Sequence, residues 1–435
     1  MKTRISIFWF RRDLRLDDNH GLWLALKSGL PVLPIFIFDK NILDQLNNTA
    51  DQRVNFIHQN IINLNKELQA VQSSIKTYHG YPETIFKQIF SEFEIANLFF
   101  NNDYEPYACN RDRAIKNLCS ERNINIISVK DHVIFEGNEI LKPDGKPYTV
   151  FTPYSKKWKV AFNSENYPSE KYLNNFYKIN NPIIPLESMG FQETKFQFPP
   201  KTVAQSLIRN YESTRNFPGI EGTSRLGIHF RFGTISIREK AKRAAEISST
   251  FLNELIWRDF YAMIIFHFPS VVKYAFKKPY DFIDWRNNEN EFEQWKSGMT
   301  GYPIVDAGMR ELAQTGYMHN RVRMITASFL TKHLLIDWRW GEAYFAEKLL
   351  DFDLASNNGG WQWAAGSGTD AAPYFRIFNP TSQQEKFDSD FTYIKKWVPD
   401  CDKPTYPSPM IDHKKARERC LLTYKEGLER GKNQL

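Results

Sequence analysis

The stretch from Asp351 to Pro380 combines acids, amides, glycines and tryptophans in a pattern that suits a bound, flat molecule. Glycines cost conformational entropy in a packed helix or strand, so they indicate a backbone that turns sharply or approaches a ligand closely. On a helix, Trp361 and Trp363 are about 200° apart and face different sides. One indole would line a cofactor and the other a substrate cavity. The alternative is a glycine-rich loop with two core tryptophans.

The motif GTSRLGIHFRFG, which starts at residue 222, has the composition of a phosphate-binding turn. Backbone N–H groups, the hydroxyls of Thr223 and Ser224 and the guanidinium of Arg225 suit an anion at a helix start. Upstream, Tyr211 and Arg215 offer a stacking ring and a further phosphate contact. An ordinary capped turn explains the same residues, so both interpretations stay open.

A predicted helix at NELIWRDFYAMII (residues 253–265) has one polar and aromatic face. The spacing i, i+3, i+4, i+7 puts four side chains on that face: Glu254, Trp257, Arg258 and Tyr261. The other positions are apolar, and exposed Trp and Tyr are uncommon on a solvent-facing stripe. We therefore expect this face to line a cavity.

A second helix, at MHNRVRMITASFLTKHLL (residues 318–335), repeats the pattern. Asn320, Arg323 and Met324 share a face and offer a neutral amide, a fixed charge and a soft apolar surface. His319 and His333 have no partners at metal-ligand spacing, so both are interpreted as structural and no metal site is predicted.

The bulk properties predict a globular protein with two domains. A chain of 435 residues exceeds one ordinary core, and 42% hydrophobic and 25% charged residues are typical globular values. The net charge of +7 permits nucleic-acid binding without requiring it. The four cysteines lack CxxC spacing, and neither a signal peptide nor a membrane span is recognised. The expected location is the cytoplasm, without membrane association.

Alternating strand and helix patterns predict an α/β domain with a doubly wound parallel sheet over residues 1–130. Residues 131–200 are rich in proline and aromatics and are predicted to be a connector. Residues 201–435 show helical periodicity and are predicted to form a helical domain. No GxGxxG follows the first strand, so NAD binding is not expected.

Several motifs together resemble the DNA photolyase/cryptochrome family: FWFRRDLRLDDN, GTSRL, NELIWRDFY, GYMHNRVRMITASFL, LLIDWRWGE and DFDLASNNGGWQWAAGSGTDAAPYFRIFNP. The resemblance covers essentially the whole chain and points to class I cyclobutane pyrimidine dimer (CPD) photolyases of bacteria. It implies an N-terminal α/β domain and a C-terminal helical domain that binds FAD. The implied activity is light-dependent repair of UV-damaged DNA, in which excited, fully reduced FAD (FADH⁻) gives an electron to a flipped-out dimer.

The resemblance also implies roles for individual residues. FAD contacts are implied for Tyr211, Thr223, Ser224, Arg225, Leu226, Asn320, Arg323, Asp351, Asp353 and Asn357. Contacts with the dimer or the DNA are implied for Arg215, Glu254, Trp257, Arg258, Arg321, Met324, Trp363 and Arg376. Electron transfer to the flavin is implied for Trp285, Trp338 and Trp361, and a part in the repair reaction for Glu254, Asn320 and Met324.

Two departures from the family pattern concern cofactors. Gly227 stands where the family commonly has Ser in the phosphate loop, which predicts one FAD hydrogen bond fewer. Tyr107 and Ala108 replace the Asn-Glu pair of folate-binding members, so a folate antenna is not favoured. A deazaflavin, another flavin or no antenna chromophore stay open.

Two rival functions remain within the family. A (6-4) photolyase would carry a second histidine in the stretch that here contains Asn320 and Met324. A cryptochrome, a blue-light receptor without repair, shares the FAD and the tryptophans but needs no dimer pocket such as Glu254, Trp257 and Met324 would form. The CPD photolyase is favoured, as a monomer in the bacterial cytoplasm that joins the nucleoid when bound to DNA.

Overall fold

A computed structural model describes residues 3–163 and 165–434 of the chain. These residues form two compact units, each assembled from three separate segments of the sequence. The unit that contains the parallel sheet, here called the sheet unit, comprises residues 1–136, 161–202 and 226–243. The other, called the helical unit, comprises residues 137–160, 203–225 and 244–435.

The sheet unit is organised around five parallel strands in the order β3-β2-β1-β4-β5. The strands are β1 (Arg4–Phe10), β2 (Val32–Asp39), β3 (Lys76–Gly80), β4 (Glu94–Asn101) and β5 (Asn125–Val129). Along β1, Phe8 belongs to one apolar cluster while Ile7 and Trp9 belong to another, so both faces of the sheet are covered. The predicted doubly wound sheet is confirmed, and its apolar strands follow from this double coverage.

Helices make up most of the remaining structure. The α-helices are α1 (His20–Leu26), α2 (Lys40–Leu43), α3 (Gln52–Gln69), α4 (Pro82–Glu92), α5 (Pro106–Ser120), α6 (Phe151–Ala161), α7 (Gln205–Arg209), α8 (Tyr211–Thr214), α9 (Gly227–Phe232), α10 (Ile237–Ile247), α11 (Ser249–His267), α12 (Glu289–Lys296), α13 (Pro303–Thr315), α14 (Asn320–Ser328), α15 (Trp338–Lys348), α16 (Leu354–Ala365), α17 (Pro380–Phe387), α18 (Thr392–Trp397) and α19 (His413–Gln434). Within the described ranges, no helix is both long and apolar enough to cross a membrane.

The structure divides the chain differently from the boundaries predicted at residues 130 and 200. The expected connector, 131–200, is shared between the two units, and residues 226–243, expected in the helical domain, pack within the sheet unit. Arg238 holds that segment in place, because its guanidinium lies 3.0 Å from a carboxylate oxygen of Asp18 and 2.7 Å from one of Asp131. These buried ion pairs join residues 220 and 107 positions apart, so no local pattern reveals them.

The helix predicted over residues 318–335 is shorter in the structure. Helix α14 stops at Ser328, and a π-helical turn, Phe329–His333, follows it. The hydroxyl of Thr331 donates to the Ala327 carbonyl at 2.9 Å, a contact of the kind that bends helices. The core of the helical unit lies around α16, which packs against α11, α14 and α15.

Candidate cofactor and substrate site

One face of α11 lines a cavity of about 370 Å³ in the helical unit. Glu254 and Trp257, one helical turn apart, are both on its wall, as their spacing predicts, whereas Arg258 and Tyr261 of the same predicted face are not, and Tyr261 packs against Gly359 instead. The ring of Phe151 stacks on the indole of Trp257, with centroids 3.7 Å apart. The rest of the lining is polar: Glu212, Arg215, Asn216, Thr250 and Asn253. A flat group with polar edges matches this combination of stacked rings and polar rim.

An ion pair joins the C-cap residue of α8 to α11 at this cavity. The Nη1 atom of Arg215 donates to Oε1 of Glu254, and the two side chains are 36% and 33% exposed. Burial raises the pKa of the Glu254 carboxyl, while the neighbouring Arg215 guanidinium acts in the opposite direction. Both partners are accessible, so a ligand can displace the Arg215 guanidinium from Glu254. Without that cation the pKa of the Glu254 carboxyl rises further, and the carboxyl keeps its proton to higher pH.

The predicted phosphate-binding motif forms a turn ahead of α9. Arg225 has a positive φ of 50°, and its guanidinium lies 4.8 Å from the ring centre of Tyr317. The hydroxyls of Thr223 and Tyr317 are 3.0 Å apart and hydrogen-bonded. Tyr317 therefore holds two residues of the motif, Thr223 through its hydroxyl and Arg225 through its ring.

The other predicted FAD-contacting residues near this turn are divided between the two units. Ser224 is half-buried in the same turn, whereas buried Leu226 already belongs to the sheet unit. Tyr211 begins α8 and packs edge-on against Phe251, with ring centroids 5.2 Å apart. Gly227, the departure from the family pattern, is the first residue of α9.

Helix α14 contributes the charged side chain of Arg323 and the neutral amide of Asn320 to the helical unit. One guanidinium nitrogen of Arg323 donates to both carboxylate oxygens of Asp351, at 2.9 and 3.1 Å, and Nε donates to the Met318 carbonyl at 2.7 Å. Asn320 is the exposed first residue of the helix, and Met324 is half-buried one turn later. Arg323 is thus held rigidly, whereas the Asn320 amide stays accessible.

Helix α16 explains the paired glycines. A side chain at Gly359 would overlap the ring of Tyr261, so glycine there lets α11 and α16 approach closely. At Gly360 a side chain would meet nothing within 4 Å, and Asp353 and Asn357 share that open face. An exposed glycine costs a helix about 1 kcal/mol relative to alanine. The open strip therefore favours a ligand that lies against the backbone.

The acid and amide beside this strip are held by neighbours. Asp353 caps α16 by accepting from the Ser356 N–H at 3.0 Å. The Asn357 amide donates to the Glu342 carboxylate at 2.8 Å. Burial raises the pKa of Glu342, a residue that the sequence analysis did not single out.

These features fit a flavin nucleotide. Cationic Arg225 suits a phosphate, the neutral Asn320 and Asn357 amides suit ring or sugar heteroatoms, and the strip at Gly360 suits a flat ring. FAD contains each of these parts. All of these residues belong to the helical unit.

The two tryptophans of α16 face different environments, as the sequence predicts. Trp361 is 2% exposed and packs against Phe345 and Trp295, with ring centroids 4.9 and 6.1 Å away. Trp363 is half-buried, and its ring centroid is 6.5 Å from that of Phe378.

The three residues with an implied electron-transfer role occupy one apolar cluster of the helical unit. Trp338 and Trp361 are buried in it, and half-buried Trp285 packs against it. The indole of Trp285 also meets the ring of Tyr424 edge-on, with centroids 5.8 Å apart. The implied order, from Trp285 through Trp338 to Trp361, runs from accessible to buried residues.

The predicted DNA-contacting arginines differ in their freedom to bind phosphate. Arg376 is exposed, and no ion pair to its side chain occurs in the described part of the chain. Arg321 donates to the Asn216 amide oxygen at 2.7 Å and lies over the Phe387 ring. Half-buried Arg258 lies on α11, next to Trp257.

Sequence reasoning missed Phe151 and Tyr317, which complete the cavity wall and the phosphate turn. Phe151 lies 106 positions before Trp257, in a segment predicted as a connector without periodicity. Its backbone N–H donates to the Asp370 carboxylate at 3.1 Å, which ties it to the glycine-rich stretch. Only the proximity of Tyr317 to HNRVRM in the sequence could have signalled its role.

Comparison with known proteins identifies two family models in the sequence. Residues 6–171 match the DNA photolyase model, and residues 251–405 match the FAD binding domain of DNA photolyase. The chain is 35% identical over 477 aligned residues to the deoxyribodipyrimidine photo-lyase of Halobacterium salinarum, covering 97% of this chain and 98% of that protein.

Two solved structures have a similar fold. A bacterial class III photolyase from Agrobacterium tumefaciens superposes with a TM-score of 0.87 at 33% identity, covering 99% of this chain and 98% of that one. An archaeal photolyase from Sulfolobus tokodaii with two FAD molecules gives 0.85 at 33% identity, covering 97% and 99%. Because one of these proteins is a class III enzyme, the class I assignment stays a prediction.

Proposed function

The chain belongs to the DNA photolyase family, and on this basis we propose that it is a deoxyribodipyrimidine photo-lyase, which splits pyrimidine dimers in UV-damaged DNA under light. The substrate is a CPD turned out of the duplex, since extrusion costs least where base pairing is already damaged. The observation that carries the proposal is the ionisable Glu254 beside the stacked Phe151 and Trp257 rings in one cavity of about 370 Å³.

FAD is the cofactor, and the helical unit provides its site. Arg225 contacts the phosphates, Arg323 and Asn320 lie at the ring system, and Asp353 and Asn357 bound the open strip of α16. When bound and fully reduced, FAD supplies under light the single electron that no side chain can give. The Arg323–Asp351 pair keeps the guanidinium fixed, so no reorganisation is needed when the cofactor binds.

Glu254 stabilises negative charge on the dimer. A pyrimidine carbonyl oxygen becomes a stronger acceptor as charge develops on the ring. Burial raises the pKa of Glu254, and entry of the dimer removes the opposing Arg215 contact. Glu254 then presents a carboxyl O–H to that oxygen, and the freed guanidinium turns towards the DNA backbone.

Trp257 on the cavity wall, together with Trp363 and Met324 from outside that wall, orients the dimer and excludes water. Trp257 and Trp363 pack on the fused pyrimidines, and Met324 fills the gap between them. The amide of Asn320 contacts the flavin, and because it is uncharged it does not exchange a proton with the cofactor. Exposed, unpaired Arg376 is the cation best suited to a DNA phosphate, which fixes register without reading sequence.

The proposal extends to the setting of the enzyme. It acts as a monomer in the bacterial cytoplasm and is found with the nucleoid when bound to DNA. An antenna chromophore other than folate is the best supported second cofactor, because Tyr107 and Ala108 replace the folate pair and a relative carries two FAD molecules. The absorption spectrum of the purified protein identifies that chromophore.

A light-versus-dark repair assay tests the function. Purified protein with reduced flavin is incubated with a duplex that carries one CPD, and with a matched duplex that carries one (6-4) photoproduct. We expect restoration of the CPD duplex under blue light, none in darkness, and a slower rate for the Glu254→Ala variant. Restoration of only the (6-4) duplex would identify the other repair branch, and failure on both duplexes would favour a cryptochrome.

A further inference from the structure

A tight turn presents Phe375 and Arg376 to solvent. The backbone N–H of Arg376 donates to the Pro373 carbonyl at 2.9 Å, and that of Ile377 donates to the Phe375 carbonyl at 3.1 Å. Phe375 is 60% exposed and Arg376 is also exposed, whereas Tyr374 and Ile377 on either side of them are half-buried. Two exposed residues therefore lie between two residues that pack against the helical unit.

The turn is attached to a buried ring of the C-terminal helix. Tyr374 stacks on Tyr424 of α19, with ring centroids 5.8 Å apart and planes inclined by 10°. Tyr424 is 0% exposed. The indole of Trp285 meets it edge-on at 5.8 Å, and Nζ of Lys332 lies 3.8 Å from its ring centre. A ring that is itself fixed from several sides therefore sets the orientation of Tyr374.

Arg376 lies close to two other guanidinium groups near the cavity. Burial lowers the pKa of Arg321, and the nearby cations Arg215 and Arg376 lower it further. Arg215 is on the cavity wall. Because the three like charges repel one another, a phosphate that binds among them is favoured. No ion pair holds the Arg376 side chain within residues 3–163 and 165–434, so its position depends on the backbone turn.

We propose that Tyr374, through its stack on Tyr424, is a positioning residue that holds Arg376 where a DNA phosphate can bind. An arginine on a loose segment loses conformational freedom when it binds, and a fixed turn reduces that cost. Helix α19, which contains none of the predicted FAD or DNA contacts, thereby contributes to substrate binding. The inference deepens the proposed function and rests on DNA as the ligand of this face.

A pair of substitutions at Tyr374 tests the stack. Tyr374→Phe keeps the aromatic ring, whereas Tyr374→Leu is apolar but has no flat face. The affinity of the full-length, FAD-loaded protein for a CPD duplex is measured at several salt concentrations. We expect Tyr374→Leu to bind roughly two- to tenfold more weakly and to lower the slope of log affinity against log salt by up to about 0.9. Tyr374→Phe should behave like the unaltered protein. An unchanged slope in Tyr374→Leu would overturn the proposal.

Trypsin reports on the turn without DNA. It cleaves after arginine, and the exposed Arg376–Ile377 bond is such a site. Cleavage after Arg122, in an exposed turn of the sheet unit, is the internal reference. We expect Tyr374→Leu to accelerate cleavage after Arg376 roughly two- to tenfold relative to Arg122, because the stack no longer opposes local opening. An unchanged ratio would show that the turn keeps its place without the stack, contrary to the proposal.

Two further variants separate the stack from general packing. The Tyr424 hydroxyl has no hydrogen-bond partner among the residues that the structure describes, so Tyr424→Phe should preserve both the slope and the cleavage ratio. Ile283→Ala is the matched control, because Ile283 is buried in the same cluster and packs against Gly427, one turn along α19. We expect it to lower the melting temperature only. A slope reduced as much as in Tyr374→Leu would refute a specific role for the stack.

A double variant shows whether Tyr374 acts through Arg376. In the Arg376→Ala background, Tyr374→Leu should weaken binding no further, since the group that it positions is already absent. Full additivity of the two losses would contradict the proposal. Failure of the unaltered protein to bind any DNA would overturn the proposed function and this inference with it, whereas an unchanged slope in Tyr374→Leu overturns only the positioning role.

Discussion

The phenyl ring of Phe151 lies flat on the indole of Trp257, with centroids 3.7 Å apart and planes inclined by 2°. The stack fixes the plane of Trp257 and leaves only one face for a substrate. Aromatic pairs of this kind contribute about 0.5–1.5 kcal/mol beyond buried area. We expect Phe151→Ala to bind CPD duplexes roughly two- to tenfold more weakly and to bind undamaged duplexes as before.

Fluorescence anisotropy with damaged and undamaged duplexes measures this selectivity. Val150→Ala is the matched control, because Val150 is adjacent and exposed but absent from the cavity wall. Equal weakening on both duplexes would show that Phe151 supports the fold and not lesion recognition.

The Arg215–Glu254 pair predicts a pH dependence of repair. Burial raises the pKa of Glu254, so the proton-donating form is gained as the pH falls through that raised value and lost as the pH rises. We expect the repair rate of enzyme reduced beforehand to follow the same direction. Glu254→Gln should remove the dependence, and Arg215→Gln should move its midpoint to higher pH, since the opposing cation is gone. A pH profile unaltered in both variants would contradict a proton role for Glu254.

Trp361 predicts a separation between flavin reduction and repair. We expect Trp361→Phe to block light-driven reduction of the oxidised cofactor, measured by absorbance, and to leave repair by chemically reduced enzyme nearly unchanged. The smaller ring should cost roughly 1–3 kcal/mol of stability. Trp295→Phe is the control, because Trp295 contacts Trp361 in the same cluster without an implied electron-transfer role. Loss of both activities in Trp361→Phe would make Trp361 structural.

Arg376 predicts a change in the salt dependence of DNA binding. Removing one phosphate contact lowers the slope of log affinity against log salt by about 0.9. We expect this decrease for Arg376→Ala, measured by titrations at several salt concentrations. Exposed Lys66 on α3 provides the charge-matched control, Lys66→Ala. Identical slopes for Arg376→Ala and the unaltered protein would remove Arg376 from the DNA surface.

Lys332 predicts a stability that depends on alkaline pH. Its side chain is 1% exposed, its Nζ donates to the Ala365 carbonyl at 2.8 Å, and burial lowers its pKa to about 7. An unfolded lysine keeps its proton up to about pH 10.4. Between pH 7 and about pH 10.4 this lysine therefore binds more protons in the unfolded chain than in the folded protein. The free energy of unfolding consequently rises with pH across this range and decreases again as the pH is lowered to 7.

We therefore expect Lys332→Met to flatten the change of melting temperature between pH 7 and about pH 10. At pH 7 it should raise the unfolding free energy by about 1–3 kcal/mol, because a buried charge gives way to an apolar side chain. Lys66→Met is the exposed control. An unaltered pH slope in Lys332→Met would mean that the buried ammonium stays charged.

Local patterns predicted much of this molecule. The parallel sheet follows from strands that are apolar on both faces, and the split between Trp361 and Trp363 follows from helical geometry. The Glu254 face of α11 was recognisable because its polar residues repeat at one-turn spacing. Each of these predictions depends only on residues that are close together in the sequence.

Tertiary partners were not predictable in the same way. Phe151 reaches Trp257 from a segment without periodicity, and Arg238 joins carboxylates more than a hundred residues away.

The interleaving of the two units has a consequence for synthesis on the ribosome. The last segment of the sheet unit ends at residue 243, so the carboxylate of Asp18 meets Arg238 only long after the fifth strand has emerged, whereas Asp131 already has Arg15 as a partner at 2.8 Å. A nascent chain that stops at residue 136 carries the entire sheet but leaves Asp18 without its guanidinium. We therefore expect the sheet unit to complete its folding only after residue 243 has been translated.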